Sequence, residues 1–174
     1  MLAPPECIWW RPVGRLERAW ILIAFTWGLF LTLMMPLWFF VGRQNVPTNS
    51  YRMAPEAYQA RVEAFVKEYR VGTEKGIPVV APPPGSDIYL LARRWEWYPV
   101  LRLRKGQTYR LHLSSTDIQH GFSVQPLNLN LQVLPGYVHI LEIQPTRSGL
   151  YTVVCNEFCG IGHHLMVGRI EVVE

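Results

Sequence analysis

Four residues equipped for metal chemistry stand in one short stretch, CNEFCGIGHHLM at 155–166: Cys155, Cys159, His163 and Met166, spaced C-x3-C-x3-H-x2-M. A fifth, His120, closes the run DIQH that starts at Asp117. Thiolate and thioether are soft donors and imidazole is borderline, a set that selects copper over magnesium or calcium. Zinc also takes Cys and His, but Met is not among its usual ligands. Iron–sulfur clusters ask for more thiolates, and the C-x-x-C-H of a c-type haem is absent. A mononuclear blue-copper site uses one Cys, two His and a weak axial Met, so here there is one Cys too many. Two thiolates can instead bridge two copper ions, with one His on each. The competing reading is a small Cys155–Cys159 disulfide, which an oxidising compartment permits, with His163 and His164 at the surface and Met166 in a core. Gly160 and Gly162 shape the loop in either case.

The elements that must position this loop read as strands. From Ile88 onward short β runs alternate with turns, at 88–95, 100–104, 107–114, 121–125, 128–134, 137–144, 149–155 and 167–173. Leu127–Val133 and Tyr109–Leu113 alternate apolar and polar residues as half-buried strands do. Turn signals fall at Lys105-Gly106, Pro135-Gly136 and Ser148-Gly149. Many short strands at this spacing predict a sandwich or barrel over 88–174. His112 and His139 sit in strand patterns, as structural or exposed residues.

Ahead of it lies a connector, 43–87. Residues 43–54 are polar and turn-rich, and a helix is expected over 55–71 because Tyr58, Val62, Phe65, Val66 and Tyr69 recur at helical spacing. Pro55 and Glu56 suit its first turn. The following GTEKGIPVVAPPPGSD reads as a Pro/Gly-rich linker.

Residues 19–42 carry no charge, and WILIAFTWGLFLTLMMPLWFFV from Trp20 to Val41 is long enough to cross a ~30 Å hydrocarbon layer as one helix. A cleaved signal peptide would have a shorter apolar core and a small-residue cleavage site. Arg11, Arg15 and Arg18 precede the span and only Arg43 follows closely. This asymmetry predicts residues 1–18 on the cytoplasmic side and the strand domain outside. Cys7, the third cysteine, then lies in a reducing compartment and reads as a free thiol. Formal charge is +4, but no clustered basic face argues for nucleic acid.

Residues 117–174 resemble the CuA domain of cytochrome c oxidase subunit II. The likeness rests on D-x-x-H-x-F at Asp117, His120 and Phe122, on the Leu-Pro-Gly turn at 134–136, and on C-x-E-x-C-G-x-x-H-x-x-M at 155–166. It implies one transmembrane α-helix followed by an all-β, cupredoxin-like Greek-key barrel. The single helix matches the branch typified by ba3-type oxidases of prokaryotic cell membranes. Carried over, Cys155 and Cys159 bridge two coppers, His120 and His163 are the nitrogen ligands, and Met166 with the Glu157 carbonyl are the weak axial ligands. Glu157 matches the commoner branch, where its side chain also helps to hold a magnesium ion against subunit I. Trp95, with Trp97, matches the aromatic cluster that receives the electron. The implied partners are haem-bearing subunit I, where oxygen is reduced and protons are pumped, and an external cytochrome c or small copper protein. A nitric oxide reductase subunit, a tethered copper carrier and a disulfide-stapled scaffold are the alternatives. The Lys/Arg surplus predicts a donor contact that depends weakly on salt.

Overall fold

The computed structural model describes residues 12–42, 47 and 49–174. Cys7, Arg11 and Arg43, used above for the free thiol and the orientation, lie outside the described residues. The chain divides into two compact units, 1–43 and 44–174.

The first unit is one helix, α1, Arg15–Val41. Its 27 residues extend about 40 Å, and its best window has a mean hydropathy of 1.9. None of its side chains is buried within the unit. Thr26 and Thr32 return their hydroxyls to the carbonyls of Leu22 and Gly28, each at 2.8 Å. No hydroxyl of these two is therefore left unbonded in an apolar surrounding.

In the second unit the elements run β1 (Asn49–Arg52), α2 (Pro55–Tyr69), β2 (Arg70–Glu74), β3 (Ile77–Val80), β4 (Asp87–Arg93), β5 (Glu96–Tyr98), β6 (Val100–Arg104), β7 (Tyr109–Ser115), β8 (His120–Gln125), β9 (Leu129–Val133), β10 (Tyr137–Ile143), β11 (Gly149–Val154), a 3-10 turn (His163–Leu165) and β12 (Val167–Val173). One sheet has the order β1-β10-β7-β4-β5 and the other β2-β3-β6-β12-β11-β8-β9. Parallel pairings of β4 with β7 and of β6 with β12 tie distant segments together. Alternate residues of both sheets, among them Leu90, Leu101, Leu111, Leu113, Phe122 and Ile170, meet in a closed core.

Three elements differ from the sequence expectation. Residues 49–52, expected as turn, form edge strand β1 on β10. Most of the expected linker is a hairpin, β2–β3, whose two-residue loop Lys75-Gly76 has φ of 48° and 84°. Both positive angles suit a tight primed turn, which brings the strands together with the natural twist. Prolines at 78 and 82–84 obscure this pattern, yet Pro78 lies within β3, and beyond the hairpin loop only 81–86 lacks strand. The strand expected at 88–95 ends at Arg93, and the chain folds back through Arg94-Trp95 into β5.

Helix α2 is part of the core. It buries Tyr58, Val62, Phe65 and Val66, the stripe that its periodicity marks. The Tyr58 hydroxyl lies 3.0 Å from the Leu90 carbonyl and 2.9 Å from that of His112, so one side chain pins the helix to β4 and β7. Strand β1 is fastened similarly. The Tyr51 hydroxyl meets His112 Nδ1 at 3.2 Å, His112 Nε2 meets Asp87 Oδ1 at 3.1 Å, and Arg110 grips both Asp87 oxygens.

These contacts set the expected cost of breaking them. Tyr58→Phe lowers unfolding stability by about 1–2 kcal/mol and Tyr58→Ala by about 3–5 kcal/mol, read by urea denaturation. The Arg110 hydrogen bond, helped by His112 and opposed by partial burial, holds Asp87 below the ordinary carboxylate range. A depressed carboxylate contributes stability above its unfolded pKa and loses it as pH falls through the folded value. Asp87→Asn should therefore have a lower urea midpoint than the parent at pH 7, and the two should converge once pH drops below the carboxylate range.

Candidate metal centre

The loop 155–166 leaves the sandwich at the end of β11 and returns into β12. Its two ends are clasped by Cys155 N–H to the Met166 carbonyl at 3.2 Å. Within it, His163 N–H bonds the Gly160 carbonyl, Leu165 N–H that of Gly162, and Met166 N–H that of His163. This 3-10 turn leaves His163 half-buried and His164 exposed, which separates a candidate ligand from its neighbour. Beside the loop, β8 presents His120 as its first residue.

The donors converge. Cys155 Sγ and Cys159 Sγ are 3.6 Å apart, far beyond the ~2.05 Å of a disulfide, and both cysteines are free. The disulfide reading does not hold here. Around Cys155 stand His120 Nδ1 at 3.9 Å and the Glu157 carbonyl at 3.3 Å. Around Cys159 stand His163 Nδ1 at 3.5 Å and Met166 Sδ at 3.8 Å. The set thus splits into two halves, each with one imidazole and one weak donor, sharing the sulfur pair. His120, Cys155, Cys159 and Met166 are all buried. Burial, together with the adjacent Cys155, pushes the Cys159 thiol up to about 11. In this pocket a thiolate needs a bound cation, and soft cations are the ones these donors suit.

Asp117 orients His120. Its Oδ1 takes the imidazole Nε2–H at 2.8 Å, the Ile118 N–H at 2.7 Å and the Ser115 hydroxyl at 3.1 Å. Its Oδ2 takes the Arg94 N–H at 2.8 Å and Arg94 Nε at 3.2 Å. Burial works against the charged carboxylate, but the bonds from His120, Ile118 and Arg94 outweigh it and hold the group at about 2. An ionised acceptor keeps the proton on Nε2, so the Nδ1 lone pair faces the sulfurs.

The two tryptophans part company. Trp95 is 40% exposed, and its indole N–H donates to the Cys159 carbonyl at 3.0 Å. Its ring lies on Gly160 and Gly162, and a Cβ on Gly162 would fall 2.3 Å from the ring. Trp97 is buried and packs edge-on against Phe122 and His120, with ring centroids at 5.4 and 6.4 Å. It is a wall of the site and not a surface residue. The Glu157 carboxylate accepts from Gln132 Nε2 at 3.4 Å. His112 belongs to the Asp87 network, and His139 lies half-buried on β10. Sequence reasoning missed Arg94 as a partner of Asp117, and it missed Gly121. A Cβ at Gly121 would sit 2.2 Å from Asn156 Oδ1 and 2.6 Å from Glu157 N, so only glycine lets the ligand loop lie on β8. A glycine inside a strand pattern, directly after a candidate ligand, is the signal for such a close approach.

Comparisons with known proteins agree with this geometry. The family model for the periplasmic domain of cytochrome c oxidase subunit II matches residues 98–173. A cytochrome c oxidase subunit 2 of Thermus thermophilus is 36% identical over 93 residues, covering 53% of this chain and 69% of that protein. A second subunit 2 from the same species is 28% identical over 151 residues, 85% and 90% of the two chains. A chain of a haem-copper terminal oxidase dimer solved by cryo-electron microscopy is 25% identical with a TM-score of 0.51, covering 86% of this chain and 99% of its own. A rusticyanin variant, 16% identical with a TM-score of 0.51 over 75% of this chain and all of its own, shares the cupredoxin fold.

Gly121→Ala should cost about 2–4 kcal/mol of stability and displace the ligand loop. Thermal unfolding of the metal-free chain reads the first effect, and the loss of a defined copper stoichiometry reads the second.

Proposed function

Because the chain belongs to the cytochrome c oxidase subunit II family, we propose that its outer unit takes electrons from an external donor at a dinuclear CuA centre and delivers them to haem in subunit I of a haem-copper oxidase. The observation that carries this reading is the division of six donors into two halves about one pair of sulfurs 3.6 Å apart. Cys155 and Cys159 would hold the copper with their thiolates, His120 and His163 with imidazole nitrogen, and Met166 and the Glu157 carbonyl as weaker donors. A copper pair so held supplies a one-electron carrier that changes little between oxidation states, because the change spreads over two metals and their shared thiolates. The protein's own part is to hold the donors rigid and dry. The loop is clasped at both ends, and four of the donor side chains are buried.

Trp95 is the electron input. It is half-exposed and joined by one hydrogen bond to the backbone of a bridging cysteine. His163, the half-buried imidazole, is the output toward the haem. The Glu157 carboxylate, now bonded to Gln132, would share a magnesium ion with subunit I. Helix α1 anchors the chain in a prokaryotic cell membrane, with the N-terminus cytoplasmic and the copper unit outside, as the excess of arginine before the span supports.

The donor meets an apolar surface. Phe158, Ile161 and Leu165 project from the ligand loop at 83%, 90% and 68% exposure. Residues 44–174 carry thirteen Lys/Arg against eleven Asp/Glu, so no strong field steers the encounter. A contact built on exposed apolar side chains is weakly sensitive to salt.

Reconstitution of the self-contained unit 44–174 with copper should give two coppers per chain and a purple, mixed-valence spectrum. One copper, or none, would refute the centre. Cys159→Ser should abolish the delocalised pair. In the whole complex, replacing Ile161 or Phe158 with Asp should lower donor turnover about tenfold or more, whereas raising ionic strength at fixed donor should change it less than about threefold.

A further inference from the structure

Arginines 93 and 94 are adjacent, yet they do different things. Arg93 is engaged on the surface, with Nε 2.5 Å from Glu96 and its guanidinium over the Tyr98 ring at 4.8 Å. Arg94 turns to Asp117, which it meets twice, through its main-chain N–H and through Nε, both on Oδ2. The other carboxylate oxygen holds His120. One carboxylate thus lies between an exposed cation and a buried imidazole. The cation sits on the residue before Trp95, whose indole bonds the Cys159 carbonyl.

The geometry points to Arg94 as a positioning residue that tunes the redox centre through Asp117. This rests on the ligand assignment above. The guanidinium withdraws charge from the carboxylate, which weakens the pull of Asp117 on the His120 Nε2–H and makes Nδ1 a poorer donor. A poorer imidazole donor and a nearby positive charge both favour the reduced form, so the two effects have the same sign. Loss of the guanidinium therefore favours the oxidised form. The main-chain N–H stays in any variant, so Asp117 keeps that bond while the Nε bond and the charge are lost in Arg94→Gln. Because the Arg94 side chain is 54% exposed, salt screens the interaction.

The test uses the full-length chain in detergent. In copper-loaded Arg94→Gln, the reduction equilibrium against a fixed mediator should move about 2- to 5-fold toward the oxidised form at low ionic strength. Arg94→Lys, which keeps the charge, should stay within about twofold of the parent, and the Gln difference should shrink at high salt. In the metal-free chain the His120 imidazole N–H resonance of Arg94→Gln should move downfield while the Trp95 indole N–H stays in place. An unchanged equilibrium in Arg94→Gln overturns the proposal, as does a Lys variant that moves as far as Gln. A displaced Trp95 resonance in both variants assigns Arg94 a purely structural role and overturns it too. The parent's copper count tests the centre separately, and the metal-free resonance tests Arg94 even where that count is not two.

Discussion

The strand unit is built around one awkward juxtaposition, two buried sulfurs held 3.6 Å apart. Burial, together with the adjacent Cys155, pushes the Cys159 thiol up, so charging the pair is costly. A protein that held them loosely would relieve the strain by letting one turn toward solvent. The sandwich prevents this by presenting the loop from two neighbouring strands and closing it with a main-chain bond between Cys155 and Met166. A soft cation would neutralise the charged pair, which would couple metal binding to local order.

The same constraint explains the glycines and the aromatic rings around the loop. Gly121 lets the loop lie flat on β8, and Gly162 and Gly168 let Trp95 and Trp97 pack within van der Waals contact. The two indoles close the site from opposite positions, one at the surface and one inside. Only the surface ring is hydrogen-bonded to a cysteine backbone. The exposed ring and the buried ring thus come from one hairpin, β4–β5.

Asp117 extends the control outward. Its two oxygens face different ways, one toward a buried ligand and one toward an exposed arginine. A ligand that must not move is coupled in this way to a charge that solvent can screen. The exposed apolar residues on the loop rim stand on a unit that is nearly neutral.

The sequence alone was enough for the membrane helix, for most strands and for the candidate ligands of the 155–166 loop, because each is a local pattern: an uncharged run, an alternation, or four donors within twelve residues. The amphipathic stripe of α2 was legible for the same reason, though not that it seals the core of the outer unit. The hairpin β2–β3 was hidden because prolines mark linkers in isolation, and only pairing with β2 and β6 makes residues 77–80 a strand. What the tertiary structure decided is which donors lie beside which sulfur, which of two tryptophans meets solvent, and that Arg94 and Asp117 stand behind His120. These depend on parallel pairings between strands far apart in the chain, β4 with β7 and β6 with β12, which bring segments together at distances that no local spacing encodes.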